Sequence, residues 1–228
     1  MKSRLFGAVI AYVALVSLSI TPTERGHAAT VGIVGYDVLS ADISGTGNWF
    51  HTYTGLITPL SGTRANYTGG TGTMADGVST GTTAANTQLF YAPNDQIITL
   101  YLDGFYTINQ MEFYGGDHGA TTNGLPGSIN GMDITFNGST ETYVTTQFGL
   151  QNISSPWLIN DRVTITGSGL DGLVTDTIKI SLITYDIDRF PIAEIVIDGQ
   201  VAVPIPPALY LFGTGLIGLV GMARRKAA

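Results

Sequence analysis

Cysteine is absent from this 228-residue chain. That excludes disulfide scaffolds, thiolate zinc sites, iron–sulfur clusters and cysteine nucleophiles. Charge is scarce as well: Asp, Glu, Lys and Arg make up 12% of the residues, about half the usual ~25% of a soluble domain. Bases are rarest, ten against seventeen acids for a formal net charge of −7. Such a balance cannot neutralise a phosphate backbone, which argues against a nucleic-acid partner. Of three histidines, His27 falls in a targeting segment described below. His51 and His118 cannot form a three-histidine zinc site, and there is no His-Glu-x-x-His string. Helical periodicity and any fixed repeat are also missing from the centre of the chain, which weighs against a helical domain and a solenoid.

What is present is unevenly distributed. Hydrophobic residues make up 44% and there are 30 glycines. Six of the ten bases lie at the two ends, leaving Arg64, Arg162, Lys179 and Arg189 in the middle against sixteen acids, a formal −12. The N-terminus reads as a secretory signal. Lys2 and Arg4 precede an apolar run over 5–20, and Gly26-His27-Ala28 supplies small residues for cleavage. The alternative is a retained N-terminal membrane helix. At the other end, Val203-Pro204-Ile205-Pro206-Pro207 cannot continue a strand ladder. Residues 208–222 are then uncharged, and Arg224-Arg225-Lys226 follows. Fifteen helical residues rise about 22 Å, short of the ~30 Å hydrocarbon core. The basic end stays cytoplasmic by the positive-inside rule, with the acidic middle outside. A permanent tail anchor is the plain reading of this segment.

The three-part tail resembles the PEP-CTERM sorting signal of exopolysaccharide-producing Gram-negative bacteria. The resemblance covers 203–226: a proline motif, a glycine-bearing apolar helix with Leu211-Phe212-Gly213-Thr214-Gly215-Leu216, and a basic end. It implies an exosortase, a membrane-embedded cysteine protease, as partner, with transient membrane anchoring before processing. The sorting residues are Val203, Pro204, Ile205, Pro206, Arg224, Arg225 and Lys226. Ile205 stands where that family usually has glutamate, which leaves the exosortase subtype open. The organisation expected is a signal peptide over 1–28, one domain over 29–202 and the sorting signal over 203–228.

The domain alternates with period two at Ile98/Leu100/Leu102, Met111/Phe113, Met132/Ile134/Phe136, Ile178/Ile180/Leu182 and Ala193/Ile195/Ile197. Gly-, Asn-, Asp- and Thr-rich strings separate these runs, and Asn137-Gly138 is a two-residue hairpin signal. The fold class expected is all-β, a jelly-roll-like antiparallel β-sandwich. A signal helix precedes it and a transmembrane sorting helix follows it. A barrel is the alternative.

Several pieces, in order over 73–199, resemble a galactose-binding-like, discoidin-type β-sandwich. They are Ala75-Asp76-Gly77, the strand–turn–strand unit 97–114, Met132-Asp133-Ile134-Thr135-Phe136-Asn137-Gly138, Asp176-Thr177-Ile178-Lys179-Ile180-Ser181 and Ala193-Glu194-Ile195-Val196-Ile197-Asp198-Gly199. The resemblance implies a structural calcium ion joining the Asp-Gly loop to the closing strand, with Asp76 and Glu194 supplying carboxylates and Ser79 and Thr82 loop oxygens. Mixed carboxylate and carbonyl oxygens suit that hard cation. The plainer assignment makes Asp76 a turn residue and Glu194 a solvent-facing strand residue. Asp186-Ile187-Asp188 lacks the rest of an EF-hand loop.

Two enzyme-like strings fail on context. Gly77-Val78-Ser79-Thr80-Gly81 matches a nucleophile elbow without the required strand before and helix after. Gly213-Thr214-Gly215-Leu216-Ile217-Gly218 matches a dinucleotide fingerprint inside an apolar tail. Acids are plentiful, so a carboxylate-pair glycosidase stays a third reading. For glycan binding, Trp157 offers a stacking face, with core packing its equal alternative, and Asp117, His118 and Asn123 offer hydrogen-bonding groups. The cluster Trp49-Phe50-His51-x-Tyr53 serves either binding or the core, with core packing the expectation for Trp49 and Phe50. Three Asn-x-Ser/Thr strings carry no weight in a bacterial chain. The expectation is a non-catalytic, exported surface or matrix protein that binds exopolysaccharide. A self-associating structural matrix protein is its rival.

Overall fold

The computed structural model describes residues 29–45, 50–81, 86–91, 96–115, 129–144, 149–151, 161–166, 174–184 and 189–202. Both helical ends expected from the sequence, and the whole sorting motif, lie outside these residues. Among the described residues no helix is long and apolar enough to cross a membrane.

The described chain is built from antiparallel strands. They are β1 (Ala29–Thr30), β2 (Ile33–Asp42), β3 (Leu56–Pro59), β4 (Arg64–Gly70), β5 (Gln88–Tyr91), β6 (Gln96–Gly115), β7 (Ile129–Phe136), β8 (Ser139–Val144), β9 (Gly149–Gln151), β10 (Asp161–Thr166), β11 (Val174–Thr184) and β12 (Arg189–Val201), with a 3-10 turn at Thr73–Ala75.

β6 organises the molecule. Its first part pairs with β2 through Leu102–Ile33 to Ile97–Leu39, and with β11 through Tyr101–Thr177 to Gln96–Leu182. Its second part pairs with β12 from Tyr106–Val201 to Gly115–Ile192, and with β10 from Gln110–Thr166 to Gly115–Asp161. Hydrogen bonding therefore runs β3-β4-β2-β6-β11-β7-β8 on one side, while β12, β10, β9, β5 and β1 extend the other. The two parts meet at Asp103-Gly104, where β11 jumps register between Thr175 and Thr177. The result is a sandwich-like all-β fold.

Every residue of the five alternating runs is buried, from Ile98 at 0% to Leu102 at 7% exposure. All of them except Ala193 join Tyr36, Val38, Tyr67, Met74 and Phe90 in one hydrophobic cluster. The period-two pattern works because successive strand side chains point to opposite faces, so one face fills the core while the other meets water. Asn137 (φ 46°) and Gly138 (φ 84°) form the two-residue turn joining β7 to β8. Positive φ at both central positions matches the right-handed strand twist. Glycine is needed for another reason at Gly72, where a Cβ would stand 2.0 Å from the Thr52 carbonyl oxygen.

Several polar side chains inside the fold are hydrogen-bonded to one another and to the backbone. The Tyr67 hydroxyl donates to the Asp42 carbonyl oxygen (2.7 Å) and lies 3.0 Å from His51 Nε2. With the tyrosine proton committed, His51 donates from Nε2 as a neutral imidazole. The Tyr53 hydroxyl donates to the Tyr36 carbonyl (2.7 Å) and accepts from Gly70 N (2.9 Å). The rings of His51, Tyr67, Tyr53 and Tyr36 stack edge-on or tilted at 5.2–5.3 Å. His51 is thus an interior residue, and half-buried Tyr53 packs against the core. Phe50 is not interior: at 54% exposure it overturns the expectation of core packing. The chain turns inward only at His51, whose ring finds the tyrosine hydroxyl. Trp49 lies outside the described residues.

Candidate functional site

One edge of β12 is paired at its two ends and open between them. β5 pairs as far as Ile192, and β1 starts at Asp198, with Val31 N donating to the Ile197 carbonyl (2.7 Å). Into the gap comes the loop after the 3-10 turn. Met74 is fully buried and fixes that turn to the core. Glu194 Oε2 accepts from Asp76 N (3.1 Å) and Gly77 N (3.0 Å), residues more than a hundred positions away. Asp76 Oδ1 in turn accepts from Val78 N (2.9 Å), an Asx turn. Gly77 has φ 80°, the left-handed region open to glycine without a Cβ penalty. A cleft of about 360 Å³ opens here, lined among others by Val31, Gly32, Asp76, Gly77, Glu194 and Val196.

Glu194 is 6% exposed, so it is not the solvent-facing strand residue of the plainer assignment. Burial pushes its carboxyl up to about 7, and the nearby Asp76 charge adds to the rise, while the backbone N–H donors work against it. Asp76 shapes a turn and also faces the same cleft as Glu194. Among the described residues no group of three or more His, Cys, Asp or Glu gathers to hold a metal. What the cleft offers a cation among the described residues is two carboxylates, Asp76 and Glu194. That composition fits a hard ion such as calcium, whose charge would relieve the crowding of the two acids. Ser79 lies in the loop after Gly77, and Thr82 lies outside the described residues, as do Asp186, Ile187 and Asp188. The elbow-like string 77–81 follows a 3-10 turn instead of a strand, so the context that chemistry requires is missing there.

Trp157, Asp117, His118 and Asn123 also fall outside the described residues. Their flanks do not: Gly115, the last described residue before Asp117, is the register partner of Asp161, the first after Trp157. Beside that junction lies a polar cluster that the sequence analysis missed. Glu112 pairs with Arg162 (Nη1–Oε1 3.2 Å) and accepts from the Tyr114 hydroxyl (2.6 Å) and Gln110 Nε2 (2.9 Å). The Arg162 guanidinium stands 6.0 Å from the centre of the Tyr114 ring. Its signal was present in the strand period, since Gln110, Glu112 and Tyr114 occupy the positions opposite buried Met111 and Phe113.

No family model matches this chain, and no curated protein matches it. Among solved structures, a fucose-binding module of Streptococcus pneumoniae is similar at 17% identity and a TM-score of 0.37, over 55% of this chain and 79% of that one. A family 32 carbohydrate-binding module from NanJ of Clostridium perfringens, solved with galactose, gives 15% and 0.35 over 70% and 99%. A second Clostridium perfringens module, solved with GalNAc-β-1,3-galactose, gives 18% and 0.32 over 66% and 95%.

Proposed function

We propose that this chain is an exported, exosortase-processed protein of the cell surface or extracellular matrix of a Gram-negative bacterium, and that it binds exopolysaccharide without catalysis. For its glycan-binding part, the observation that supports this reading is the register pairing of Gly115 with Asp161. It supports a common ligand-facing end for the chain flanking Asp117, His118 and Asn123 and the chain flanking Trp157. Those residues are a stacking aromatic and planar polar groups, the chemistry a sugar ring needs. The body is a jelly-roll-like sandwich of the galactose-binding type, and the anchoring of Asp76-Gly77 on Glu194 supports that resemblance.

Calcium, where bound, would be held by Asp76 and Glu194 with oxygens of Ser79 and Thr82. It would add electrostatic fastening to a glycine-rich loop that buries little. The tail 203–228 would carry the sorting residues and a membrane-spanning helix until exosortase acts.

The test is cosedimentation of the signal-free protein with exopolysaccharide of the producing strain, with and without chelator. Saturable binding is the expected result, and its loss on chelation would extend the role of calcium to the ligand. No binding in either condition would overturn the glycan reading in favour of a structural, self-associating matrix protein. Release of reducing sugar would instead favour the hydrolase reading.

A further inference from the structure

Exposed apolar side chains stand on both faces of the strands that meet around the Asp103-Gly104 turn of β6. Phe105 is 57% exposed, Val201 65%, Val34 60% and Val174 40%. Register brings their strands together: Val201 pairs with Tyr106, Val174 with Thr107, and Val34 sits between Ile33, opposite Leu102, and Gly35, opposite Tyr101. Ala202 N donates to the Phe105 carbonyl (2.8 Å), so the chain leaves the described fold among these side chains. Nearby charges are Asp103, whose Oδ1 accepts from the Tyr106 hydroxyl (2.6 Å), Asp176 and Asp198. No Lys or Arg stands in the 101–107, 174–177 or 198–202 strand segments.

Scattered exposed valines need no explanation, but a cluster at the chain exit does. From Gly199 through Ala223 the sequence has no charged residue, and only Val203 to Pro207 separate the last described residue from the apolar run 208–222. Five residues reach at most about 18 Å. We propose that the Phe105–Val201–Val34–Val174 cluster is a lipid-docking surface that seats the domain on the bilayer holding its own C-terminal segment. The proposal rests on reading 208–222 as membrane-embedded. A fifteen-residue span is short for the hydrocarbon core, so it draws the domain to the interface, where apolar side chains enter the headgroup–acyl boundary. With only acids at the cluster, the docking is apolar, and the lipid it fits is zwitterionic. Gly115 lies nine residues along β6 from Tyr106, about 30 Å at strand rise, which keeps the candidate glycan end clear of the lipid.

The cysteine-free chain makes the test direct. Single variants Phe105→Cys, Val201→Cys, Ser61→Cys and Thr214→Cys of the full signal-free chain would carry an environment-sensitive dye. Each would be reconstituted into phosphatidylcholine–phosphatidylethanolamine vesicles with or without brominated acyl chains. Ser61 serves as the distant reference, because it joins β3 to β4 beyond the Arg64–Asp42 end of β2. The expected result is strong quenching at 214, and quenching at 105 and 201 at least twofold above that at 61. Quenching at 214 with 105 and 201 no different from 61 overturns the docking surface while leaving the membrane tail standing. No quenching at 214 overturns the tail reading and the docking with it. A dye at Val174→Cys should fall to the level of position 61 when Phe105→Asp and Val201→Asp are added, and retention of its quenching would also overturn the proposal. Both sites are exposed, so these changes leave the core intact.

Discussion

Acidifying this protein should act on His51 in a direction opposite to its action on Glu194, and substitution at either residue should expose the other. His51 is held neutral: burial lowers its pKa from 6.5 to about 4, and its Nε2 proton is used on Tyr67. The unfolded chain takes up a proton near 6.5 while the folded chain resists until about 4. The stability from neutral His51 is therefore complete above pH 6.5 and is lost as pH falls towards 4. At 1.36 kcal/mol per unit, lowering the pH from 7.5 to 5 removes about 2 kcal/mol, reduced to about 1–1.5 by the partial solvation of the ring. Glu194 has the reverse sign. Its carboxyl is raised from 4.5 to about 7, so its contribution is fullest below 4.5 and is lost as pH rises through 7. The two slopes oppose each other between pH 4.5 and 6.5. Urea unfolding of wild type, His51→Gln and Glu194→Gln in chelator-containing buffer at pH 5.0, 6.0 and 7.5 reads them separately. Relative to wild type, His51→Gln should gain stability on acidification and Glu194→Gln should lose it. A His51→Gln profile parallel to wild type would refute the assignment of a buried neutral imidazole.

Other expectations follow from the same structure. Chelation should lower the Tm of the wild type, and Glu194→Ala should abolish that response; a melt insensitive to chelator removes the calcium proposal. Gly72→Ala forces a methyl against the Thr52 carbonyl and should lower the urea midpoint, whereas Gly62→Ala, with open space around its Cβ position, meets no clash and costs only its positive φ of 72°. Phe113→Ala empties a fully buried site near the C-terminal end of β6 and should cost about 3–5 kcal/mol. Mass spectrometry of the surface protein should find no residue beyond Pro207, and an intact C-terminus would count against exosortase processing.

The five period-two runs and the Asn137-Gly138 turn were readable because strand pleat and left-handed turns translate directly into residue type and spacing. The continuity of β6 was not. Asp103-Gly104 has the composition of a hairpin, yet β6 continues past it: β2 pairs as far as Leu102, β12 takes over at Tyr106, and β11 spans the gap with a register shift. Which of Phe50 and His51 turns inward was not legible for a similar reason. An aromatic next to a histidine says nothing about which one meets Tyr67. The Asp76–Glu194 meeting was foreseen only through resemblance, since a separation of over a hundred residues leaves no local trace. The Arg162–Glu112–Tyr114 cluster had a trace in strand alternation, but its partner strand could not be chosen from sequence.

The pairing of β12 with β6, unbroken in direction from Val201–Tyr106 to Ile192–Gly115, has a mechanical meaning. A chain held at its C-terminus by a surface and at its Gly115 end by a polymer is pulled lengthwise along these two strands. Antiparallel ladder bonds lie perpendicular to the strands, so such a pull shears many of them at once instead of opening them one after another. The same covalent strand that joins both groups of neighbours, β6, would then be the element that carries tension between cell and matrix.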